Sequence, residues 1–316
     1  MAFELPKINY TGEIKEIELG QEDKKIPVGG EKVYPFCSFE GEMPHPPGIA
    51  MEVLDIPPEN WPQSCLEPFK GVVDKPGQWA KKCVEEYKAE MVCLHLEGID
   101  PDGKNRGAED TVKTVKEVID SIEVPLIVWG CEKDEKDAEV LRKVAEEFHG
   151  KNLILGPVVE NNYKKLGAAA IAFNHTIIAS TPIDVNLAKQ LNILLGDLGV
   201  PDEKILMDPN RGGSSLGYGA EYTYSVMERD KVAALTQGDK KLAFPIICNI
   251  ASQVWKNKEA KISQKEEPKM GEENRRGVML EAVTASMFLV AGANILIMRH
   301  PESVKLMKNL IEELSS

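Results

Sequence analysis

The stretch Ile205–Tyr224, ILMDPNRGGSSLGYGAEYTY, decides how this chain folds. It begins with a short apolar strand that reaches Asp208-Pro209, and a polar, glycine-rich loop separates this strand from a helix predicted over 220–234. Because proline cannot donate to a strand ladder, pairing should stop beside Asp208 and leave its carboxylate at the strand's end. A strand, a carboxylate, an open loop and a helix in this order are typical of the C-terminal rim of a parallel α/β barrel.

The loop supports two interpretations. It is a ligand-binding loop, or it is a plain connection in which Asp208 caps a helix or is solvated, since Gly-Gly-Ser-Ser is also common turn chemistry. It is not a phosphate-binding P-loop, because no Gly-Lys-Ser/Thr occurs in it. The ligand-binding interpretation requires the rest of the chain to form a barrel.

On both sides of this stretch, short apolar runs alternate with helical patterns. Seven further runs are predicted strands, at 49–56, 91–96, 126–129, 153–155, 176–179, 245–250 and 295–298. Parallel strands that are buried on both faces are expected to be continuous apolar runs of this kind. The succession of strand–helix units predicts a closed (β/α)8 TIM barrel over 49–316, and the alternative is a doubly wound open sheet with a similar local pattern.

Three segments need separate predictions. Residues 1–48 should form an irregular N-terminal extension, in which Val33–Phe36 adds a strand across the bottom or side of the barrel.

Thr181-Pro182-Ile183-Asp184 predicts a helix start with proline at the first position and an acid at the third. The helix is expected to bury Leu187, Leu191, Leu194 and Leu198.

The charged insertion Gln253–Arg276 is either a solvated loop or, on a C-terminal rim, a place where ligands and partners are held.

Composition excludes several classes of protein. The chain has 316 residues, of which 42% are hydrophobic, so it can bury a sizeable core. Its net charge of −13 argues against a nucleic-acid partner, because phosphates would be repelled. No apolar run reaches the roughly 18 residues that a membrane span requires, and the N-terminus lacks the apolar centre of a signal peptide. We therefore expect a cytoplasmic protein without a nucleic-acid or membrane partner.

The cysteines and two histidines bear on metal binding. The chain has six cysteines, and none forms a C-x-x-C pair, so we expect no zinc or iron–sulfur site within it. His45 and His95 each begin an H-x-x-G sequence, but Met43 and Cys93 replace the aspartate of the corrinoid-ligating D-x-H-x-x-G motif. We therefore predict that neither histidine is a metal ligand.

Three stretches carry a resemblance to a known family. They are the acidic and aromatic N-terminal region, MDPNRGGSSLGYGAEYTYSVMER at Met207–Arg229, and PIICNIASQVWK at Pro245–Lys256. Over nearly its whole length the chain resembles the small subunit of the corrinoid/iron–sulfur protein of the anaerobic acetyl-CoA pathway, which is the delta-type subunit of acetyl-CoA decarbonylase/synthase. The resemblance implies a (β/α)8 barrel related to pterin-binding methyltransferases.

The resemblance also implies partners and cofactors. The chain would form a heterodimer with a large corrinoid/iron–sulfur subunit that alone holds the iron–sulfur cluster, and cobalamin would lie between that subunit and this barrel's rim. Together they would carry a methyl group from methyltetrahydrofolate:corrinoid methyltransferase to acetyl-CoA synthase. The chain would then be a non-catalytic subunit of a methyl-transfer complex. Two alternatives are a pterin-binding methyltransferase that acts directly on methyltetrahydrofolate and a corrinoid, and a barrel that only scaffolds a complex.

Candidate site residues follow from the strand ends. Glu97, Asn174, Asp208 and Asn249 are predicted to share one rim. In the related pterin-binding barrels, an acid and an asparagine at such strand ends hold the pterin, and Asp208 and Asn249 are similar to those two positions. A corrin carries peripheral amides, which require neutral donors and acceptors, and glycines let the backbone approach closely. The candidate corrin-binding residues are Asp208, Asn210, Arg211, Gly212, Gly213, Ser214, Ser215 and Asn249.

Overall fold

Parallel strands close into a barrel that runs through most of the chain. The computed structural model describes residues 6–21, 24–211 and 219–315. Its strands are β1 (Ile17–Leu19), β2 (Ile26–Val28), β3 (Gly48–Leu54), β4 (Met91–His95), β5 (Leu126–Trp129), β6 (Ile154–Val158), β7 (Thr176–Ser180), β8 (Ile205–Asp208), β9 (Ile246–Asn249) and β10 (Ala293–Met298). Strands β3 to β10 follow one another around a closed barrel, and β10 pairs with β3 in parallel. The predicted (β/α)8 barrel is confirmed, and the open sheet is not formed.

Helices cover the outside of the barrel. They are α1 (Gln63–Leu66), α2 (Pro76–Glu85), α3 (Ala108–Ile119), α4 (Asp134–Glu147), α5 (Tyr163–Phe173), α6 (Val185–Leu198), α7 (Ala220–Thr236), α8 (Ala251–Val254), α9 (Lys258–Lys261), α10 (Glu273–Ala291) and α11 (Pro301–Ser315). In α3, for example, Val112, Val115 and Val118 recur at helical spacing and are buried against the strands. No helix within the described ranges is long and apolar enough to cross a membrane.

Apolar side chains fill the interior of the barrel. Because successive strand residues point to opposite faces, every second side chain of a strand enters the interior. This interior cluster includes Ala50, Cys93, Ile127, Ile178, Leu206, Ile247 and Ile297. Two residues further along each strand, the next side chain that points into the barrel lies nearer the C-terminal mouth. These side chains therefore line the mouth.

The N-terminal extension forms a hairpin, and the prediction of a strand at Val33–Phe36 is wrong. Phe36 has a left-handed backbone (φ +59°), and Cys37 N donates to Tyr34 O (3.0 Å), so this segment turns. Strands β1 and β2 pair antiparallel instead, and their apolar side chains join the interior cluster. The hairpin therefore closes the N-terminal end of the barrel.

The start of α6 differs from its prediction. Asp184 is the N-cap rather than the third helical residue, and its side chain accepts from the backbone N–H groups of Asn186 (2.7 Å) and Leu187 (3.1 Å). Thr181 N donates to Asp208 O (2.9 Å), so the chain is still extended there and the helix starts later. As a result, Leu187 is 39% exposed instead of buried, whereas Leu191 is buried as predicted.

The insertion Gln253–Arg276 is partly folded. It contains α9, and a short 3-10 turn spans Pro268–Met270 before α10 begins. Residues 264–275 are exposed, as a solvated loop would be. At the start of the insertion, however, Trp255 is buried, and it lines a cavity at the mouth with Lys256 and Lys261.

Candidate functional site at the barrel mouth

A ring of polar side chains lies at the C-terminal mouth. Each member comes two positions after an interior apolar residue of its strand, so it points into the barrel at the level of the rim. The ring consists of Glu52, His95, Ser180, Asp208, Asn249 and Arg299, and all six side chains are buried. Buried polar groups are costly unless they are paired, so the partners of this ring indicate where a ligand is needed.

Asp208 ends β8 as predicted. It is 1% exposed, and burial raises the pKa of its carboxyl to about 7. Its Oδ1 accepts from Asn210 N (3.2 Å), whereas Oδ2 has no partner among the described residues. Near neutral pH the carboxyl is therefore partly protonated, and it can donate as well as accept a hydrogen bond.

Two asparagines beside Asp208 also have unpartnered groups. Asn249 is 4% exposed, and within the described part of the chain neither its Oδ1 nor its Nδ2 has a hydrogen-bond partner. Asn210 is also 4% exposed, and its Nδ2 likewise has no partner there. Buried side-chain amides usually bind protein groups, water or a ligand. The ends of β8 and β9 thus present neutral donors and acceptors with unused capacity.

Arg211 connects two rim loops. Its Nη2 donates to Asp134 Oδ1 (2.5 Å) and to Glu132 O (3.2 Å), which joins the loop after β8 to the loop after β5. Its backbone N–H donates to Thr181 O (3.1 Å). Arg211 therefore braces the rim beside the unpartnered amides. The other predicted loop residues, Gly212, Gly213, Ser214 and Ser215, lie outside the described residues.

One of the four predicted rim residues lies at the wrong end. Asn174 is the C-cap of α5 with a left-handed backbone (φ +59°), and it precedes β7 instead of ending it. It lines a depression at the N-terminal end of the barrel with Asn152 and Lys204. Helix-to-strand connections lie opposite the mouth in such barrels. Asp208 and Asn249 end their strands, Glu97 follows β4, and all three lie at the mouth.

A buried cluster that was not predicted from the amino-acid sequence lies on the other half of the mouth. Glu52 Oε1 lies 2.9 Å from His95 Nδ1, and Glu52 Oε2 accepts from Arg299 Nε (2.6 Å). Burial disfavours the ionised Glu52, but the charges of Arg299 and His95 outweigh it and lower the pKa of Glu52 to about 2. Burial opposes protonation of His95 as well, yet its hydrogen bond to Glu52 leaves the pKa of His95 raised. Counting every second residue from the interior positions would have indicated these side chains.

This cluster borders a cavity of about 600 Å³. His95 and Arg299 line it together with Trp61 and Trp255. The guanidinium carbon of Arg299 lies 3.8 Å from the centroid of the Trp61 ring, an arrangement in which a cation is attracted to the ring face. Volumes of this size accommodate small organic ligands.

Comparisons with known proteins agree on one family. Residues 16–313 match the family model described as CO dehydrogenase/acetyl-CoA synthase delta subunit. The acetyl-CoA decarbonylase/synthase complex subunit delta of Methanothermobacter thermautotrophicus is 35% identical over 98% of this chain and 78% of its own length. Subunit delta 1 of Methanosarcina thermophila is 34% identical over 96% of this chain and 71% of its own length. The counterpart from Archaeoglobus fulgidus is 32% identical over 99% and 71%.

Solved structures share the fold. Dihydropteroate synthase from Thermus thermophilus superposes with a TM-score of 0.55 at 14% identity, covering 95% of this chain and 100% of that one. The enzyme from Xanthomonas albilineans has a TM-score of 0.58 at 11% identity over 96% and 99%. At these identities the likeness concerns the barrel alone.

Proposed function

Because the chain belongs to the CO dehydrogenase/acetyl-CoA synthase delta subunit family, we propose that it is the small subunit of a heterodimeric corrinoid/iron–sulfur methyl carrier. In this role the barrel mouth covers a cobalamin held mainly by the large subunit. When bound, the corrinoid supplies the cobalt that carries a methyl group between methyltetrahydrofolate:corrinoid methyltransferase and acetyl-CoA synthase. The iron–sulfur cluster belongs to the large subunit, and this chain is a non-catalytic subunit of the acetyl-CoA decarbonylase/synthase system.

One observation carries the proposal: the unpartnered and buried polar groups at the ends of β8 and β9. Asn249 offers a donor and an acceptor, Asn210 offers a donor, and Asp208 offers Oδ2. Since the pKa of Asp208 is about 7, its carboxyl can pair with either end of an amide. The peripheral amides of a corrin match this set of groups, and Arg211 holds the two flanking loops in place.

A partner would also account for an apolar face on the outside of the barrel. On α10, Met279, Val283 and Val290 are 45%, 53% and 51% exposed. They recur at helical spacing, and Ser286 and Met287 on the same side are partly exposed. Exposed apolar stripes of this kind are typical of protein interfaces. We assign this α10 stripe (Met279, Val283, Ser286, Met287 and Val290) to the large subunit.

The test replaces Asn249 by leucine in the co-expressed heterodimer. Leucine has a similar volume and removes both unpartnered groups, so the isolated chain should be no less stable. Corrinoid retention, measured from the visible spectrum per heterodimer, should fall roughly fivefold for each hydrogen bond lost. Asn309→Leu, on an exposed face of α11, is the matched control. Unchanged corrinoid occupancy in Asn249→Leu would contradict the assignment.

The same preparation distinguishes the alternative enzyme. A methyltransferase acting directly on methyltetrahydrofolate must bind the pterin in this mouth, whereas the carrier subunit need not. Calorimetric titration of the isolated chain with methyltetrahydrofolate should therefore show no binding. Saturable binding that Asn249→Leu abolishes would favour the methyltransferase.

A further inference from the structure

The buried cluster of Glu52, His95 and Arg299 has no part in the function proposed above. Both carboxylate oxygens of Glu52 are occupied, one by His95 and the other by Arg299. Glu281, on α10, accepts from the backbone N–H groups of Arg299 (2.6 Å) and His300 (3.1 Å) and so fixes the Arg299 backbone. The three side chains of the cluster are between 0% and 5% exposed. Burying such a network is often no more stable than packing apolar residues of the same volume, so a role in binding is the more economical explanation.

The network orients His95. Because Glu52 is ionised, the proton of the imidazole is held on Nδ1, and Nε2 keeps its lone pair when the ring is neutral. His95 lines the 600 Å³ cavity, and its Nε2 has no hydrogen-bond partner among the described residues. A side chain that is only 5% exposed thus presents one unused nitrogen to an open cavity.

The walls of this cavity differ in charge. Loops after β4 and β5 contribute Glu97, Asp100 and Glu132, and within the described ranges none of these forms a salt bridge. The segment after β9 contributes Lys256 and Lys261, which also lack salt bridges to described residues. Unpaired charges of opposite sign therefore face one space, whose remaining surface includes Trp61 and Trp255.

We propose that this cavity binds a planar aromatic zwitterion, with an ammonium group at one end and a carboxylate at the other. The ammonium donates to His95 Nε2 and lies against Glu97 and Glu132. The carboxylate lies against Lys256 and Lys261, and the ring packs against Trp61, which is partly exposed and gives the cavity an apolar surface. The lining of this cavity includes none of the corrinoid contacts at Asp208, Asn210 and Asn249.

The test uses the full chain without corrinoid and 4-(aminomethyl)benzoate as the probe, with tryptophan fluorescence and calorimetry as readouts. Benzoate lacks the ammonium and benzylamine lacks the carboxylate, so each should bind at least about tenfold more weakly, as expected when one charged hydrogen bond is lost. Equal affinity of either control compound would overturn the proposal.

Two variants keep the result interpretable. His95→Phe should weaken the probe at least about tenfold, but it leaves Glu52 with one partner fewer and can reduce stability. Lys256→Ala/Lys261→Ala alters only exposed side chains and should weaken the probe without changing the unfolding midpoint. Binding that neither variant changes would refute the site. Since corrinoid retention is measured separately, failure here leaves the carrier function untouched.

Affinity should also depend on pH in one direction. The charged groups around His95 are Glu52, Arg299, Asp55, Glu97 and Glu132. Burial lowers the pKa of His95, but its hydrogen bond to Glu52 and the charges of Glu52, Glu97 and Glu132 outweigh burial and leave the pKa raised. Below that pKa the imidazolium cannot accept from an ammonium and repels it. Probe affinity should therefore rise with pH as His95 loses its second proton, and an imidazole NMR signal of His95 should shift on binding. Affinity that falls over the same range would overturn the assigned orientation.

Discussion

At the scale of single residues, the buried carboxyl of Asp208 at the rim reduces the stability of the fold near neutral pH. Burial raises the pKa of Asp208 to about 7, whereas the carboxyl ionises near its ordinary pKa of 3.8 in the unfolded chain. As pH rises from 3.8 towards 7, only the unfolded state loses this proton, so stability is lost across that window. The protein therefore keeps a group at the mouth that weakens the fold at neutral pH, as functional sites often do.

Asp208→Asn tests this cost. The amide cannot ionise and keeps an oxygen for Asn210 N, so the variant should be more stable than the native chain at pH 8 by on the order of 3 kcal/mol. At pH 4 the two should differ little. Urea unfolding at both pH values measures this difference, and Asp197→Asn on an exposed part of α6 is the control. A stability difference that is the same at both pH values would show that folding does not raise the pKa of Asp208.

At the scale of elements, the exposed face of α10 is apolar, unlike that of a helix whose outer face contacts only solvent. The exposed positions of α4 are mainly charged, as expected for an outer barrel helix, whereas the α10 stripe carries no charge. Val283→Glu should therefore leave the fold intact and prevent association with the large subunit, because a charge would be buried in an apolar interface.

Size-exclusion chromatography of the co-expressed pair measures this effect, and circular dichroism checks the fold. Ile171→Glu on α5 is a matched control, since Ile171 is 44% exposed but lies outside the α10 stripe. We expect the control to form the heterodimer and Val283→Glu to elute as separate subunits. A heterodimer that tolerates Val283→Glu would place the partner on another surface.

At the scale of the whole molecule, the N-terminal hairpin and the barrel share one core. Leu19 is fully buried and belongs to the same cluster as Leu206 and Ile295. Glu31 binds Lys231 of α7 (2.6 Å) and Asn294 of β10 (2.9 Å), which ties the extension to distant parts of the chain. Weakening the packing of the hairpin should therefore destabilise the barrel itself.

Leu19→Ala should lower the free energy of unfolding by about 2–5 kcal/mol, because the cavity it leaves lies inside the closed barrel. Ile8→Ala, at a residue that is 47% exposed, should change it by less than about 0.5 kcal/mol. Chemical denaturation of both variants measures the two values. Similar values for the two would mean that the hairpin does not close the core.

The amino-acid sequence by itself determined the order of strands and helices. Each strand is a short apolar run, and in each helix apolar residues recur with the helical period, so both signals are local. Strand β5, for example, matches its predicted bounds at Leu126–Trp129. The rim position of Asp208 also followed locally, since Pro209 ends the strand. Where the local signal was ambiguous, the prediction failed: Asn174 belongs to the turn before β7, and Asp184 caps α6 because β7 continues its pairing through Thr181.

Only the tertiary structure decided which distant side chains meet. Glu52 pairs with His95 from 43 residues away and with Arg299 from 247 residues away, and neither separation leaves a trace in a local pattern. Their contact depends on the register of β3 against β4 and on the closure of the barrel between β3 and β10. A shift of one residue in either pairing would turn these side chains away from the mouth. The charge that Glu52 and His95 carry at the mouth is likewise set by their contacts within this cluster, which exist only once the barrel has closed.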